Sequence, residues 1–239
     1  MDLKRVREVD SLTEQFQPLA DSRAGQQKVS ADDYVGIISD ALTLDKNVGV
    51  VRNFGRLLAR MAYAKAASKS GDSQWYIDVW PVVPHAGSSR YTYELLLQLA
   101  TIVNMVHKIE KYTKMRINSV VSTSNEIEFE HKRISDLVHD LRIEATVKVI
   151  ALDLQPADIG TAGFQIDAAA DDRHKAYNSL MKIHSDHSCV LFTYLPSPPS
   201  SAGDSEAYIK CLDTLSIDLP PIIMMQGVEE VVTKAHEAV

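Results

Sequence analysis

Between Met115 and Asp153 the chain reads MRINSVVSTSNEIEFEHKRISDLVHDLRIEATVKVIALD, and the order of its periodicities restricts the fold more than any other stretch. Two β-branched runs, 115–123 and 146–153, flank a segment in which Ile127, Ile134, Leu137, Val138 and Leu141 recur at helical spacing. Glu128, Lys132, Asp136 and Asp140 fall largely outside that stripe, so one helix face packs and the other is wet. Strand, helix and strand in this order make a βαβ unit, whose two strands lie parallel in one sheet.

The same alternation continues on either side. After an Asp32/Asp33 start, Tyr34, Ile37, Ile38, Ala41 and Leu42 are spaced as one helix face, and NVGVV (47–51) then reads as a short buried strand. Residues 54–74 begin as a helix and dissolve into the loop composition SKSGDSQ. The run WYIDVWPVV (75–83) reads as a strand, and because Pro81 lacks a ladder donor an edge or hairpin position is expected for it. Further helices are expected over 93–109, over 173–184 and after a cap at Asp204 or Ser205, the last with Ile209, Leu212 and Leu215 inward. Strands over 189–195 and in PIIMMQG follow the last two, and a final helix is expected over 228–238. The expected fold is α/β: a mainly parallel sheet with helices on both faces and an edge or hairpin strand near the N-terminal side. Residues 1–30, polar and Gln-rich, read as a linker or the tail of a preceding element, and residues 31–239 as one α/β domain.

Charge and cysteine usage exclude several classes of function. The formal net charge is −7 and Lys and Arg are scattered rather than blocked, which argues against nucleic acid as a partner. Cys189 and Cys211, in a strand-like and a helix-like run, read as free thiols in a reducing compartment. The longest apolar run, 95–106, is interrupted by Gln98, Thr101 and Asn104 and reads as a buried helix rather than a membrane span. Residues 1–8 alternate charge without an apolar stretch, so no export signal is expected.

No catalytic constellation emerges. The phosphate-loop, dinucleotide, nucleophile-elbow and zinc motifs are absent. Gly160 and Gly163 lie in an irregular stretch rather than between a strand and a helix, and read as a loop. His184, Asp186 and His187 fall at a helix-to-strand turn, where solvated side chains are ordinary; His131 and His139 are two helical turns apart, too far to share an ion. The acid pairs Asp32/Asp33, Asp171/Asp172 and Glu229/Glu230 sit near expected helix starts, where the macrodipole accounts for them. No catalytic or metal residue is assigned, and the cofactor-binding residues are unknown. Asp78 or His85 at a strand end would serve a degenerate enzyme. The simpler expectation turns Asp78 outward or pairs it with Arg52, so that Asp78→Asn costs little function. Ser197, Ser200, Ser201 and Ser205 could accept phosphate, but a solvent-exposed polar turn explains them with fewer assumptions.

Four stretches in order, YIDVWPVV, MRINSVV, LVHDLRIEATVKVIALD and LPSPPSSAGDSEAYIKCLDTL, resemble the cytosolic C-terminal domain of the cation-chloride cotransporters, the solute carrier family 12 type. The resemblance covers about residues 31–239 and rests on joint order, since none of the four is a catalytic fingerprint. Two departures stand out: PHAGSS follows the tryptophan strand where the family is often glycine-rich, and the glycine run near the C-terminus is reduced to Gly227. The resemblance implies a cytoplasmic regulatory domain of an integral membrane symporter that moves chloride with potassium or sodium. It also implies a universal-stress-protein-like fold of two related α/β halves, with mainly the second half here behind a linker. A homodimer, the transmembrane portion of the same transporter and a regulatory kinase are the implied partners. Adenine nucleotide is held by some members, but no motif here places it and no cofactor is assigned. The alternative is a stand-alone nucleotide-binding protein of the universal stress type.

Overall fold

The computed structural model describes residues 29–81, 90–155, 164, 169–199 and 202–228. Within them a six-stranded sheet has the order β1-β6-β5-β2-β3-β4, with strands β1 (Val48–Arg52), β2 (Trp75–Trp80), β3 (Thr113–Val121), β4 (Ala145–Ala151), β5 (Ser188–Tyr194) and β6 (Ile222–Gln226). Five strands are mutually parallel, and β1 alone runs antiparallel, against β6. The helices are α1 (Ala31–Thr43), α2 (Leu57–Ser70), α3 (Arg90–Asn104), the short α4 (His107–Glu110), α5 (Ile127–Asp140), α6 (Ala170–His184) and α7 (Ser205–Ser216). None is long and apolar enough to cross a membrane.

Strand alternation deals the side chains to two cores. Trp75, Ile77 and Val79 of β2, with Met115 and Ile117 of β3, pack against α2, α3 and α5 through Ala64, Leu95, Leu96, Leu97, Ala100, Ile134 and Val138. On the other face Trp80, Ile150, Leu191 and Met224 meet Val35 and Ile38 of α1, Tyr177, Leu180 and Met181 of α6, and Leu212 and Leu215 of α7. Helix ends follow the local chemistry. The Ser30 side chain accepts from the Asp33 backbone N–H at the start of α1, and Gly71, with φ +74°, ends α2 in a conformation that suits glycine.

The expected α/β architecture holds, with differences. β2 is a central strand, paired with both β3 and β5, not an edge: it ends at Trp80, so Pro81 falls outside the ladder and costs no donor. The edge strand near the N-terminal side is instead β1, which alternates between half-buried, buried and exposed positions rather than being buried throughout. Helix α2 continues through Ser70, and the helix expected over 93–109 is two, divided at residues 105–106. The exposed Ile102, Met105 and Val106 show that the 95–106 run is buried on one side only. The final helix expected over 228–238 lies outside the described residues.

Candidate functional site

The most concentrated chemistry is a polar cluster inside the sheet, on the face shared with α6. Asp78 is 0% exposed at the middle of β2. Its neighbour in register, Arg116 of β3, donates from Nε to Oδ1 at 2.7 Å and from Nη2 to Oδ2 at 2.8 Å, a bidentate fork. Nη2 also donates to the His184 carbonyl at 2.8 Å, the guanidinium lies 4.0 Å from the Tyr76 ring centroid, and the Ser188 hydroxyl donates to Asp78 Oδ2. Burial acts to lower the Arg116 pKa, but the hydrogen bonds and charge of Asp78 outweigh it, and the net direction is upward.

At the end of α6 the His184 ring bridges β4 and the segment after it. Lys148 Nζ lies 3.0 Å from Nδ1, and Gln155 Oε1 lies 3.2 Å from Nε2. An ammonium can only donate, so Nδ1 accepts and the ring proton sits on Nε2, giving a neutral imidazole. Burial first, then the Lys148 and Arg116 charges, push its pKa down to about 4. Burial and Arg116 likewise lower the Lys148 pKa. Trp80 Nε1 donates to Ser185 Oγ at 3.1 Å one residue further on. Asn118, two residues along β3 from Arg116 and 1% exposed, has neither amide atom hydrogen-bonded. Every titratable group in the cluster is tied to another element of the fold, and a carboxylate clamped by an arginine fork is poorly placed to move a proton. Its geometry joins β2, β3, β4, β5 and α6.

The sequence candidates fall as follows. Asp78 neither faces outward nor pairs with Arg52, because the parity of β2 points it into the α6 side; Arg52 instead pairs with Asp213 at 2.6 Å. The premise for expecting Asp78→Asn to be mild is therefore overturned. His184 is half-buried rather than solvated, while Asp186 and His187 are exposed and 3.3 Å apart. His131 and His139 are both exposed on α5. Among the described residues no group of three His, Cys, Asp or Glu side chains could hold a metal ion. Asp32 and Asp33 occupy the first turn of α1; Asp171 and Asp172 occupy that of α6, where Lys175 reaches them at 2.7 and 3.7 Å. Ser205 is 4% exposed, so it does not belong to a solvent-exposed turn, whereas Ser197 is exposed. Asp204 stands at the N-cap of α7 without a side-chain capping bond. Gly160, Gly163, His85, Ser200, Ser201, Glu229 and Glu230 lie outside the described residues.

One contact had no signal in the sequence. Cys211 of α7 has Sγ 3.2 Å from His174 Nδ1 on α6, 37 residues earlier. Burial pushes this thiol up to about 11 and lowers the imidazole, so the pair is hydrogen-bonded without being activated. In open α/β sheets ligands usually sit at the carboxyl ends of the strands. At the ends of β3 and β4 two of the chain's own carboxylates accept from nearby donors: Ser122 N–H donates to Glu126 at 3.3 Å, and the Ser124 N–H and hydroxyl both donate to Asp153 at 2.9 Å.

No family model matches the chain. It is 31% identical over 233 residues to solute carrier family 12 member 9 of Danio rerio, a match covering 94% of this chain and 25% of that protein. The protein of the same name from Xenopus laevis is 30% identical over 237 residues, covering 92% and 25%. The human protein is 26% identical over 236 residues, covering 85% and 25%. The chain is a relative of the solute carrier family 12 proteins. The family resemblance drawn from the four stretches is thereby borne out, and it spans nearly the whole chain. The chain spans about a quarter of the length of these solute carriers. The family is named for carriers rather than enzymes, in keeping with a polar cluster that holds strands together.

Proposed function

We propose that this chain is the cytoplasmic regulatory and dimerisation domain of an integral membrane symporter that carries chloride with potassium or sodium, and that it transports nothing itself. The observation that carries this reading is the relatedness of 94% of the chain to one quarter of a solute carrier family 12 protein. The remaining length of such a carrier would supply the transmembrane portion, which is the chain's first partner. The cluster around Asp78 supports a rigid, catalytically silent scaffold, and a kinase acting on the surface would be a regulator rather than a component. Adenine nucleotide is left out of the reading because no phosphate-binding motif in the sequence places it.

The test is chloride uptake by cells expressing the full-length carrier with and without this domain, with potassium or sodium replaced in turn. Uptake that changes while the truncated carrier still reaches its membrane supports regulation; unchanged uptake overturns it. Sedimentation of the purified chain decides the dimerisation part: a monomer–dimer equilibrium is expected, and a strict monomer from micromolar to near-millimolar concentration overturns it.

A further inference from the structure

Of the serines in and just after the proline-rich segment that follows β5, the structure leaves one open. Ser205 is buried, Ser200 and Ser201 lie outside the described residues, and Ser197 is exposed. Ser197 is also the only serine or threonine of the 239 residues that is followed by proline. Residues 195–199 form neither helix, strand nor turn, so the polar turn expected there gives way to an open run. Its prolines account for that shape. Pro196, Pro198 and Pro199 fix their own φ, and a residue that precedes proline is held in the extended or polyproline region, which applies to Leu195, Ser197 and Pro198.

The run is anchored before the serine and loose at it. Leu195 N–H donates to the Met225 carbonyl at 2.7 Å, and the Tyr208 hydroxyl donates to the Pro196 carbonyl at 2.7 Å. Among the described residues the one hydrogen bond at Ser197 is a long one, from Gln226 Nε2 to Oγ at 3.4 Å. Pro198 and Pro199 have no N–H to donate, so an approaching enzyme gives up little to take hold of the hydroxyl. A kinase holds its acceptor serine in an extended chain, with the hydroxyl between a γ-phosphate and a catalytic carboxylate. Where the enzyme's next subsite is an apolar pocket, an ordinary residue would bury an N–H without a partner, whereas proline brings none. Ser197-Pro198 meets both conditions.

We propose that Ser197 is a phosphorylation site for a proline-directed kinase. The Ser197 oxygen attacks the γ-phosphorus of the kinase's ATP; the new O–P bond forms as the bond to ADP breaks, and the hydroxyl proton passes to the kinase's carboxylate base. The phosphoserine carries about −1.5 to −2 charge at pH 7. The donor already beside it is Gln226 Nε2, at the end of the strand that pairs with β1. The long neutral bond becomes charge-assisted and fastens the 195–199 run to the end of β6. This names the residue on which the kinase of the proposed function acts, and it rests on that reading only for the regulatory use of the phosphate.

The purified 239-residue chain is incubated with magnesium ATP and each of two purified kinases, one proline-directed and one that selects acidic residues downstream of the serine, and the phosphate is located by tandem mass spectrometry. One phosphoryl group on Ser197 is expected from the first kinase. Ser197→Ala should abolish it, and Pro198→Ala, which puts back an N–H while keeping the serine, should slow it at least about tenfold. Circular dichroism melting shows whether the two variants keep the parent's fold, and the site found on the parent chain stands without them. No phosphate, phosphate on Ser200 or Ser201 in place of Ser197, or equal rates for the parent and a folded Pro198→Ala overturns the inference and leaves the carrier reading intact. Full-length protein from its own cells, taken with phosphatases inhibited, should carry the same phosphate; a Ser197 found only unmodified there overturns the site. Chloride uptake by a Ser197→Ala carrier equal to the parent's would overturn the regulatory use alone.

Discussion

Replacing Asp78 by Asn removes one charge from the middle of the sheet and little volume. Arg116, whose side chain is only 12% exposed, would keep its charge opposite a neutral amide that also presents N–H groups to the Ser188 hydroxyl. Breaking a buried pair from one side costs about 3–5 kcal/mol because the surviving charge stays desolvated. The stack on Tyr76 and the bond to the His184 carbonyl remain, so the lower end, about 3 kcal/mol, is expected. For a domain of this size that corresponds to a melting temperature lower by about 6–12 °C. Urea unfolding followed by circular dichroism gives the value, with an unchanged slope showing that the same surface unfolds. Asp213→Asn is the internal comparison. Its partner Arg52 is 28% exposed and Asp213 itself 56%, so solvent screens the pair and the loss should stay below about 1 kcal/mol. An Asp78→Asn loss within about 1 kcal/mol, or one equal to that of Asp213→Asn, would refute the claim that burial gives this pair its weight.

Other expectations follow from single contacts. A methyl group at Gly227 would lie 2.9 Å from the Tyr91 backbone carbon and oxygen, so Gly227→Ala should cost about 1–3 kcal/mol by thermal melting, and a neutral result would mean that the approach of β6 to α3 is slack. His184 is neutral in the folded chain down to about pH 4 but titrates at about 6.5 when unfolded. The unfolded chain therefore binds the extra proton between those values, and stability is complete above pH 6.5 and declines toward pH 4. Discounted for its half exposure, the His184 share is about 1–2 kcal/mol, read as the difference between the pH profiles of the parent and His184→Gln; identical profiles would contradict it. Burial holds Cys189 up at about 12 and Cys211 at about 11. Both should react slowly with a disulfide reagent at pH 8 and rapidly in urea, and fast reaction of the native protein would rule out their protection.

Much of the architecture was legible because helix and strand periods differ. The 115–153 stretch folds as the βαβ unit that its stripe from Ile127 to Val138 requires, and α7 turns Leu212 and Leu215 inward as read. Sequence reasoning misplaced β2 by weighing Pro81 above the near-continuous apolar run WYIDVW, the composition of a strand buried on both faces. β1 was misread for the opposite reason: its residues favour burial, but Gly49 and Val51 face a side covered only in part. The Asp78–Arg116 pair had a faint signal, one charge within each of two apolar strands. Joining them needs the register, which a sequence does not print. The Cys211–His174 contact depends on how two helices pack, which composition does not encode.

The membership of this chain in a longer carrier is most directly tested by the mass and location of the native protein, captured from its own cells with an antibody raised against the purified 26.5 kDa chain. A membrane-bound protein about four times that mass is predicted, since the chain spans 25% of the related carriers. A species near 26.5 kDa in the soluble fraction, with nothing larger in the membranes, would contradict the account.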